Sequence, residues 1–431
     1  MESDAKPQAA AELPLLERPR REVIFVDTPE GLSNAVAALA AGSGAFAIDS
    51  ERASGFKYSQ RAYLIQVYRP GAPIFLIDPI AISPDDNPEH FSELAALLST
   101  DLWLLHAATQ DMPCLEMVGL KPSSLFDTEL ASRIVNLDRV GLGSVCESLL
   151  GLRLAKEHSA VDWSQRPLEE AWLTYAALDV DVLHDLYDEL SRLLAEQNKT
   201  NWASEEFEAL TKFKPKPPKV DRWRGTSGAI ELKDQQSLAM LREIWQARET
   251  LAQKLDVSPG RILPDRSMIA AILANPRTKP ELMSLKSFNG RGSRTFIDVW
   301  FAALREGAES RDLPPKRLPA EGIPNHRHWP NKFPEAAQRL QLAKNFLGDL
   351  AIELNIPVEN LVSPDHVRQV CWQLDLVSSH DISNKLMEAG ARKWQAQAVS
   401  SALEAAFASQ PSLDQITRNL HFCKRPGVRN L

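Results

Sequence analysis

The chain of 431 residues carries a net charge of −8, and 44% of its residues are hydrophobic. This length exceeds one ordinary hydrophobic core and predicts two to three domains. The charged, proline-broken N-terminal segment excludes a signal peptide or membrane span there, so we expect a cytoplasmic protein without a membrane partner. The four widely spaced cysteines exclude a C-x-x-C zinc pair and a dense disulfide framework, and we expect buried thiols.

The predicted elements begin after a tail at residues 1–21, which is expected to be flexible. Three short strands separated by polar turns predict an antiparallel meander; they are Ala45–Asp49, Tyr63–Tyr68 and Pro73–Asp78. A continuous apolar run at Leu102–Ala107 is typical of a strand covered on both faces, and Ser124–Thr128 gives a fifth strand. Helical patterns follow, so residues 22–211 are predicted to form an α/β domain with a mixed five-stranded sheet.

Two proline-rich segments divide the rest of the chain. Lysine alternates with proline in KFKPKPPKV, which predicts an extended basic linker at residues 212–228. A second linker is predicted at residues 308–333. The remaining segments, 229–307 and 334–431, have helical patterns and are predicted to be two all-α domains.

The two helical segments share a sequence pattern. LAQKLDVSPGRILPD (Leu251–Asp265) and LAIELNIPVENLVSPD (Leu350–Asp365) both read Leu-Ala-x-x-Leu-[Asp/Asn]-[Val/Ile] and then reach a Pro-Asp helix start. This favours a diverged internal repeat. Similar helix-turn-helix chemistry without common descent is the alternative.

Charge is divided unevenly along the chain. Residues 212–431 contain 33 Lys or Arg and 23 Asp or Glu, or +10, which leaves 16 and 34, or −18, for residues 1–211. A basic second half suits a polyanionic ligand, and an acidic first half suits one only if divalent cations are bound there. Two ordinary solvated surfaces would also explain this division.

Carboxylates recur at three places in the predicted α/β domain. Alternation along a strand puts Asp49 and Glu51 on one face, where oxygen ligands suit Mg²⁺ or Mn²⁺. Asp111 follows a buried strand near a helix start, and Tyr175 and Asp179 share a helix face. Each element alone also fits an ordinary role: a solvated turn pair, a helix cap or a packing face.

In this order, the three elements resemble the motifs of the DEDD superfamily of 3′-to-5′ exonucleases, in the subgroup with tyrosine in the third motif. The histidine subgroup would place histidine at position 174, which is Thr here. The stretch Gly141–Tyr187, with Asp-Trp-x-x-Arg-Pro-Leu at Asp162–Leu168, is similar to the ribonuclease D family. The two helical segments resemble that family's HRDC domains. The resemblance implies a ribonuclease H-like exonuclease domain followed by two HRDC-type domains.

The resemblance also implies how the site works. Asp49, Glu51, Asp111 and Asp179 would bind two divalent metal ions, Mg²⁺ or Mn²⁺, and Tyr175 would position the attacking water. Two metals about 4 Å apart lower the pKa of that water and neutralise charge on the phosphorus. Arg52 departs from the family, in which an aromatic residue often follows Asp-x-Glu, and its contact with the terminal nucleotide is left open.

Candidate substrate contacts lie in both halves of the chain. Each has an alternative: Gln66 as a hydrogen-bonded edge-strand residue, Phe56 and Tyr58 as caps of the core, and the basic residues as solvated charges. Glycines beside arginines in LKSFNGRGSRTF favour phosphate binding in the first helical domain. The candidates are Gln66, Phe56, Tyr58, Lys156, Arg166, Lys286, Arg291 and Arg294.

We therefore expect a metal-dependent 3′-to-5′ exoribonuclease that acts on RNA with a free 3′ end, with tRNA precursors the substrate that the resemblance implies. A DNA-directed exonuclease of the same superfamily and a non-catalytic RNA-binding protein are the alternatives. A helicase is disfavoured because the chain has no Gly-x-x-x-x-Gly-Lys-[Ser/Thr] loop. The sequence leaves the oligomeric state open, with a monomer slightly favoured.

Overall fold

The structure, a computed structural model, describes residues 13–155, 161–215, 217–318 and 322–409. Within these ranges the chain builds one α/β domain and two helical domains, each with its own hydrophobic core. None of the helices in the described ranges is long and apolar enough to span a membrane.

The α/β domain contains a mixed sheet in the order β2-β5-β4-β3-β6-β7 and a separate parallel pair, β1-β8. The strands β3, β4 and β5 form the predicted antiparallel meander, while β2, β6 and β7 add parallel pairs. The strands are β1 Leu15–Leu16, β2 Val23–Val26, β3 Phe46–Arg52, β4 Ala62–Tyr68, β5 Ile74–Ile77, β6 Trp103–Leu105, β7 Leu125–Asp127 and β8 Arg153–Leu154.

All five predicted strands are present, but the main sheet of the described chain has six. The additional strand is β2, an edge strand whose first three side chains are 36–38% exposed. Its sequence, VIFV, is wholly apolar and therefore lacks the apolar–polar alternation typical of a strand with one exposed face, although only Val26 is buried. The prediction of a five-stranded sheet is therefore wrong by one edge strand.

The predicted flexible tail is also corrected where the structure describes it. Leu15 and Leu16 form β1, which pairs with β8. Arg20 Nε donates to Asp181 Oδ2 at 2.9 Å, and Arg21 forms a second ion pair with the same carboxylate. Asp181 is fully buried. The two arginines therefore compensate a buried charge, which holds this segment against the domain.

Helices cover the sheet and extend the α/β domain to residue 211. Helix α7 packs across β3, β4 and β5, which places its residues beside the centre of the sheet. The helices are α1 Pro29–Ala41, α2 Pro79–Ile82, α3 Ser92–Leu98, α4 Met112–Met117, α5 Thr128–Ile134, α6 Leu142–Val145, α7 Glu170–Asp181, α8 Leu183–Glu196 and α9 Thr200–Thr211.

The first helical domain packs its long helix α10 against α15. Trp223 is buried in this core, so the domain begins inside the predicted 212–228 linker. Its helices are α10 Gln235–Leu255, α11 Pro259–Ile262, α12 Asp265–Ala274, α13 Lys279–Ser284, α14 Arg291–Thr295 and α15 Ile297–Glu309.

The second helical domain packs α17 against α19 and α21. Trp329 is fully buried in its core, so this domain also begins inside the predicted linker. Trp394 stacks on Trp202 of α9 with ring centroids 4.6 Å apart, which attaches the domain to the α/β domain. Its helices are α16 Trp329–Lys332, α17 Pro334–Glu353, α18 Val358–Leu361, α19 Pro364–Trp372, α20 Ser379–Glu388 and α21 Lys393–Ala408.

The repeated sequence pattern corresponds to the same local structure in both helical domains. The shared Asp or Asn lies one or two residues after the end of each long helix, with φ of 48° at Asp256 and 50° at Asn355. These residue types tolerate the left-handed conformation that ends many helices. A one-turn helix, α11 or α18, follows each turn.

The cysteine prediction is confirmed for Cys114, Cys146 and Cys371, which are buried and form no disulfide. Cys423 lies outside the described residues.

Candidate metal centre and active site

Strand β3 lies between β4 and β6 and carries the Asp-x-Glu motif at its C-terminal end. Asp49 lies opposite Gln66 of β4, and a register shift follows Glu51. Because side chains alternate along a strand, Asp49 and Glu51 share the face on which α7 packs.

Helix α7 brings the third motif to this face. Tyr175 and Asp179 lie one helical turn apart, so both side chains project from the same side of α7. Asp49, Glu51 and Asp179 place carboxylate oxygens within 4.8 Å of one another. The structure therefore assembles three of the four predicted metal ligands from distant parts of the sequence.

Asp111 is held beside this trio by a different neighbour. It precedes α4, but its side chain makes no hydrogen bond to the helix N-terminus, which argues against a simple capping role. Instead, Ser50 Oγ donates to Asp111 Oδ1 at 2.8 Å. Ser50 was missed by sequence analysis, although it is the middle residue of the Asp-x-Glu motif. It connects the first motif to the second.

The four carboxylates lie in a strongly unfavourable electrostatic environment. Burial raises the pKa of Asp49 to about 6. Burial, followed by repulsion from neighbouring carboxylates, raises the pKa values of the other three well above their usual range; they are Glu51, Asp111 and Asp179. Hard divalent cations with oxygen ligands would offset both causes. The donor set thus fits the Mg²⁺ or Mn²⁺ ions that the sequence predicted.

Tyr175 belongs to the same electrostatic group. Burial, then the negative charges of Asp179 and Glu51, raises the pKa of its hydroxyl far above neutral pH. A hydrogen bond from this hydroxyl lowers the pKa of the Asp179 carboxyl, opposing the effect of burial. Tyr175 is therefore a hydrogen-bond donor beside the carboxylates.

The four carboxylates and Tyr175 line a cleft of about 480 Å³, to which Arg52, Phe56 and His106 also contribute. The positive charge of Arg52 lowers the pKa values of Asp49 and Glu51, opposing the effect of burial. No carboxylate within the described ranges forms an ion pair with Arg52. Arg52 thus supplies a cation to the cleft that the carboxylates line.

His106 was missed by sequence analysis because a histidine at the end of a buried strand resembles a core residue. Its Nδ1 lies 2.8 Å from Thr128 Oγ1. Burial lowers the pKa of His106 to about 4, so the ring is neutral at physiological pH. It therefore adds no charge to the cleft.

Two of the predicted substrate contacts from the α/β domain are directed elsewhere. Arg166 uses all five of its donors: two for Asp78 at 2.6 and 2.8 Å, and three for backbone carbonyls. Tyr58 packs on the first helical domain, where its hydroxyl donates to Glu249 at 3.3 Å. We correct both predictions, because neither side chain is available to RNA in this arrangement.

The prediction for Gln66 is also corrected. The residue lies on the inner strand β4 and is fully buried, and it does not line the cleft. Neither atom of its side-chain amide has a hydrogen-bond partner among the described residues. It is thus neither a hydrogen-bonded edge residue nor a substrate contact in this arrangement.

Of the remaining predicted contacts in the α/β domain, Phe56 does line the cleft. Lys156 lies outside the described residues.

The predicted basic contacts of the first helical domain lie on one turn and the helix that follows it. Lys286, Arg291 and Arg294 are all exposed. None forms an ion pair within the described part of the chain. Gly292 packs so closely that an added Cβ would lie 2.6 Å from the carbonyl oxygen of Ile262, so this position requires glycine. The turn therefore presents three cations from a tightly packed backbone.

Family models match all three domains. Residues 23–195 match a 3′-5′ exonuclease model, residues 237–304 an HRDC domain model, and residues 322–407 a model described as the 3′ to 5′ exonuclease C-terminal domain. The HRDC prediction is therefore confirmed for the first helical domain. The second is helical, but it matches the C-terminal domain model.

Curated relatives agree with these models. The chain is 31% identical to a ribonuclease D of Bartonella henselae over 285 residues, covering 65% of this chain and 67% of the relative. It is 28% identical to a ribonuclease D of Shewanella sp. strain ANA-3 over 356 residues, covering 80% and 86%.

Two solved structures resemble nearly the whole chain. A protein from Bifidobacterium adolescentis has 33% identity and a TM-score of 0.84, covering 92% of this chain and 100% of that one. Escherichia coli RNase D, described as an exoribonuclease involved in structured RNA processing, has 24% identity and a TM-score of 0.62, covering 91% and 100%. The second likeness concerns the fold alone.

Proposed function

This chain belongs to the ribonuclease D family and is a 3′-to-5′ exoribonuclease, and we propose that it releases nucleoside 5′-monophosphates by two-metal-ion hydrolysis. The observation that carries this proposal is the half-buried trio of Asp49, Glu51 and Asp179, with carboxylate oxygens within 4.8 Å of one another. Three neighbouring carboxylates in a cleft destabilise the folded protein through desolvation and mutual repulsion. Bound cations would offset this cost, which supports a metal-dependent reaction at this site.

We propose that Asp49, Glu51 and Asp179 would hold divalent metal ions together with Asp111, which Ser50 orients. When bound, these ions lower the pKa of the attacking water and neutralise charge on the phosphate in the transition state. Tyr175 would orient that water through its hydroxyl, which is protonated at neutral pH, as tyrosine normally is, and burial raises its pKa further.

We propose that the exposed turn at Lys286, Arg291 and Arg294 binds RNA phosphates. Its cations are not committed to ion pairs among the described residues, and the exposed Gly290 lets a phosphate approach the backbone closely. Each phosphate contact contributes to affinity through counterion release. Replacing Arg291 with alanine is expected to raise the KM for long RNA and to leave that for a dinucleotide unchanged.

The decisive assay uses full-length protein and 5′-labelled RNA with Mg²⁺, Mn²⁺ or EDTA. The proposal predicts products that shorten one nucleotide at a time from the 3′ end only when metal is present, and no products from the Asp49→Ala variant. An RNA blocked by a 3′-phosphate serves as the matched control for end recognition. Internal cuts, or full activity of Asp49→Ala, would contradict the proposal.

The choice of nucleic acid is a second part of the proposal. We propose RNA over DNA, and tRNA precursors among RNAs, on the strength of the family relationship, since metal chemistry is common to nucleases of both kinds. Matched RNA and DNA oligomers test the first choice. A tRNA precursor with a 3′ extension, compared with an unstructured RNA of equal length, tests the second.

A further inference from the structure

The segment Ala53–Arg61, which we call the motif loop, connects the Asp-x-Glu strand β3 to β4. One side of the motif loop faces the catalytic cleft, where Ser54, Gly55 and Phe56 are part of the lining. The loop therefore forms a wall of the site directly beside the metal-binding carboxylates. Any element that fixes this loop also shapes the cleft.

The first helical domain binds the motif loop through its backbone. Ser258 N donates to Phe56 O at 2.9 Å, and Arg261 Nε donates to Gly55 O at 2.8 Å. Ser59 N donates to Asp256 Oδ1 at 2.9 Å. Because these bonds involve main-chain atoms of the loop, they constrain its path as well as its side chains.

Tyr58 strengthens the same attachment. Its hydroxyl accepts from Gln253 Nε2 at 3.0 Å and donates to Glu249 Oε2 at 3.3 Å. Glu249 is 6% exposed, and Tyr58 packs against the core of the first helical domain. Lys57 adds an ion pair with Asp256 at 3.6 Å, so each of the five residues from Gly55 to Ser59 has a direct partner in that domain.

Arg261 also contacts the aromatic ring that faces the cleft. Its guanidinium carbon lies 3.9 Å from the centroid of the Phe56 ring. Phe56 lines the cleft and Arg261 does not. Phe56 is half-buried and also packs against the core of the α/β domain, so the arginine and the core hold the ring while part of it lines the cleft.

We propose that Arg261 is a positioning residue, which holds Phe56 as a stacking surface for the 3′-terminal base and makes the first helical domain part of the active-site wall. This inference rests on the proposed function, because it requires the RNA 3′ end to enter the cleft. Aromatic rings stack on any base, so such a surface holds the terminal nucleotide without reading its sequence.

The basic turn described above is connected to the same structure. Gly292 of α14 packs its backbone against the carbonyl groups of Arg261 and Ile262, with an added Cβ 3.0 and 2.6 Å from their oxygens. The position of an RNA bound at Arg291 would therefore be fixed relative to the Phe56 ring. One short helix, α11, thus links the proposed phosphate contacts to the proposed base contact.

The test uses the full chain and two 5′-labelled RNAs that differ only at the 3′ end, one with a terminal adenosine and one with an abasic ribose. Arg261→Ala is expected to lower kcat/KM about tenfold for the RNA with the base and to leave that for the abasic RNA nearly unchanged. Phe56→Ala is expected to give the same discrimination. The double variant should lose no more than either single variant, because both act on one contact.

Two variants provide controls. Arg266→Ala removes an exposed arginine of the same domain and is expected to behave as the wild type. Arg261→Lys retains a cation and is expected to recover part of the lost kcat/KM. If wild-type protein digests RNA from the 3′ end but Arg261→Ala matches it, or affects both RNAs equally, the inference is wrong. An inactive wild type would instead contradict the proposed function.

Discussion

Replacing Asp49 with asparagine is expected to stabilise the metal-free protein at pH 8 while abolishing nuclease activity. Burial raises the pKa of Asp49 from 3.8 to about 6. One pKa unit corresponds to about 1.4 kcal/mol, so keeping this carboxylate ionised at pH 8 costs the folded state about 3 kcal/mol. For a domain of this size, removing that cost raises the melting temperature by about 6–12 °C.

The sign of the pH dependence follows from the direction of the shift. The pKa is higher in the folded than in the unfolded protein, so the wild type is relatively most stable below about pH 4 and loses this stability as the pH rises through about 6. The advantage of Asp49→Asn should therefore be largest at pH 8 and about half as large at pH 5.

Calorimetry of the full chain in EDTA at pH 5 and pH 8 measures this effect. Asp138→Asn provides the matched control, because Asp138 is exposed and has no ion pair within the described ranges. Saturating Mn²⁺ should raise the melting temperature of the wild type more than that of Asp49→Asn. A variant whose metal-free form melts at or below the wild-type temperature at pH 8 would refute the electrostatic reasoning.

Three further substitutions separate chemistry from structure. Tyr175→Phe should lower kcat about 100-fold by misplacing the attacking water, with the Mn²⁺-induced rise in melting temperature retained; loss of that rise would indicate a metal ligand instead. Ser50→Ala removes the 2.8 Å bond to Asp111 and should lower activity about 10- to 100-fold, whereas unchanged kinetics across a Mn²⁺ titration would disprove the orienting role. Arg166→Ala leaves the buried Asp78 without its ion-pair partner and should lower the free energy of unfolding by about 3–5 kcal/mol. The kcat at 25 °C should not change. A raised KM at unchanged stability would instead support the original prediction that Arg166 contacts an RNA phosphate.

The juxtaposed carboxylates were predictable from sequence because most of them lie in a short pattern with a fixed geometric consequence. Alternation in β3 places Asp49 and Glu51 on one face, and helical spacing does the same for Tyr175 and Asp179. Only the order of the motifs indicated that these faces meet. The sequence pattern therefore predicted the local geometry of each motif, while the family resemblance predicted that the three motifs come together.

The predictions that failed concern residues whose partners are far away in sequence. Arg166 resembled a phosphate contact until the structure paired it with Asp78, 88 positions earlier. Tyr58 bonds to Glu249, 191 positions later. A polar or aromatic side chain has the same sequence signal whether it meets a ligand or another domain. No local pattern distinguishes these cases, since the difference lies only in tertiary packing.

The repeated helix end shows how one local signal can determine a long-range contact. Asp256 and Asn355 occupy equivalent left-handed turns, and both bind the α/β domain. Asp256 Oδ1 accepts from the backbone N–H of Ser59, while the carbonyl oxygen of Asn355 accepts from Lys199 Nζ at 2.6 Å. A tight turn at the end of a long helix exposes both a short polar side chain and unpaired carbonyls. The similar helix end in each helical domain therefore forms a contact with the α/β domain. In the first helical domain this contact is with the motif loop, which lines the cleft.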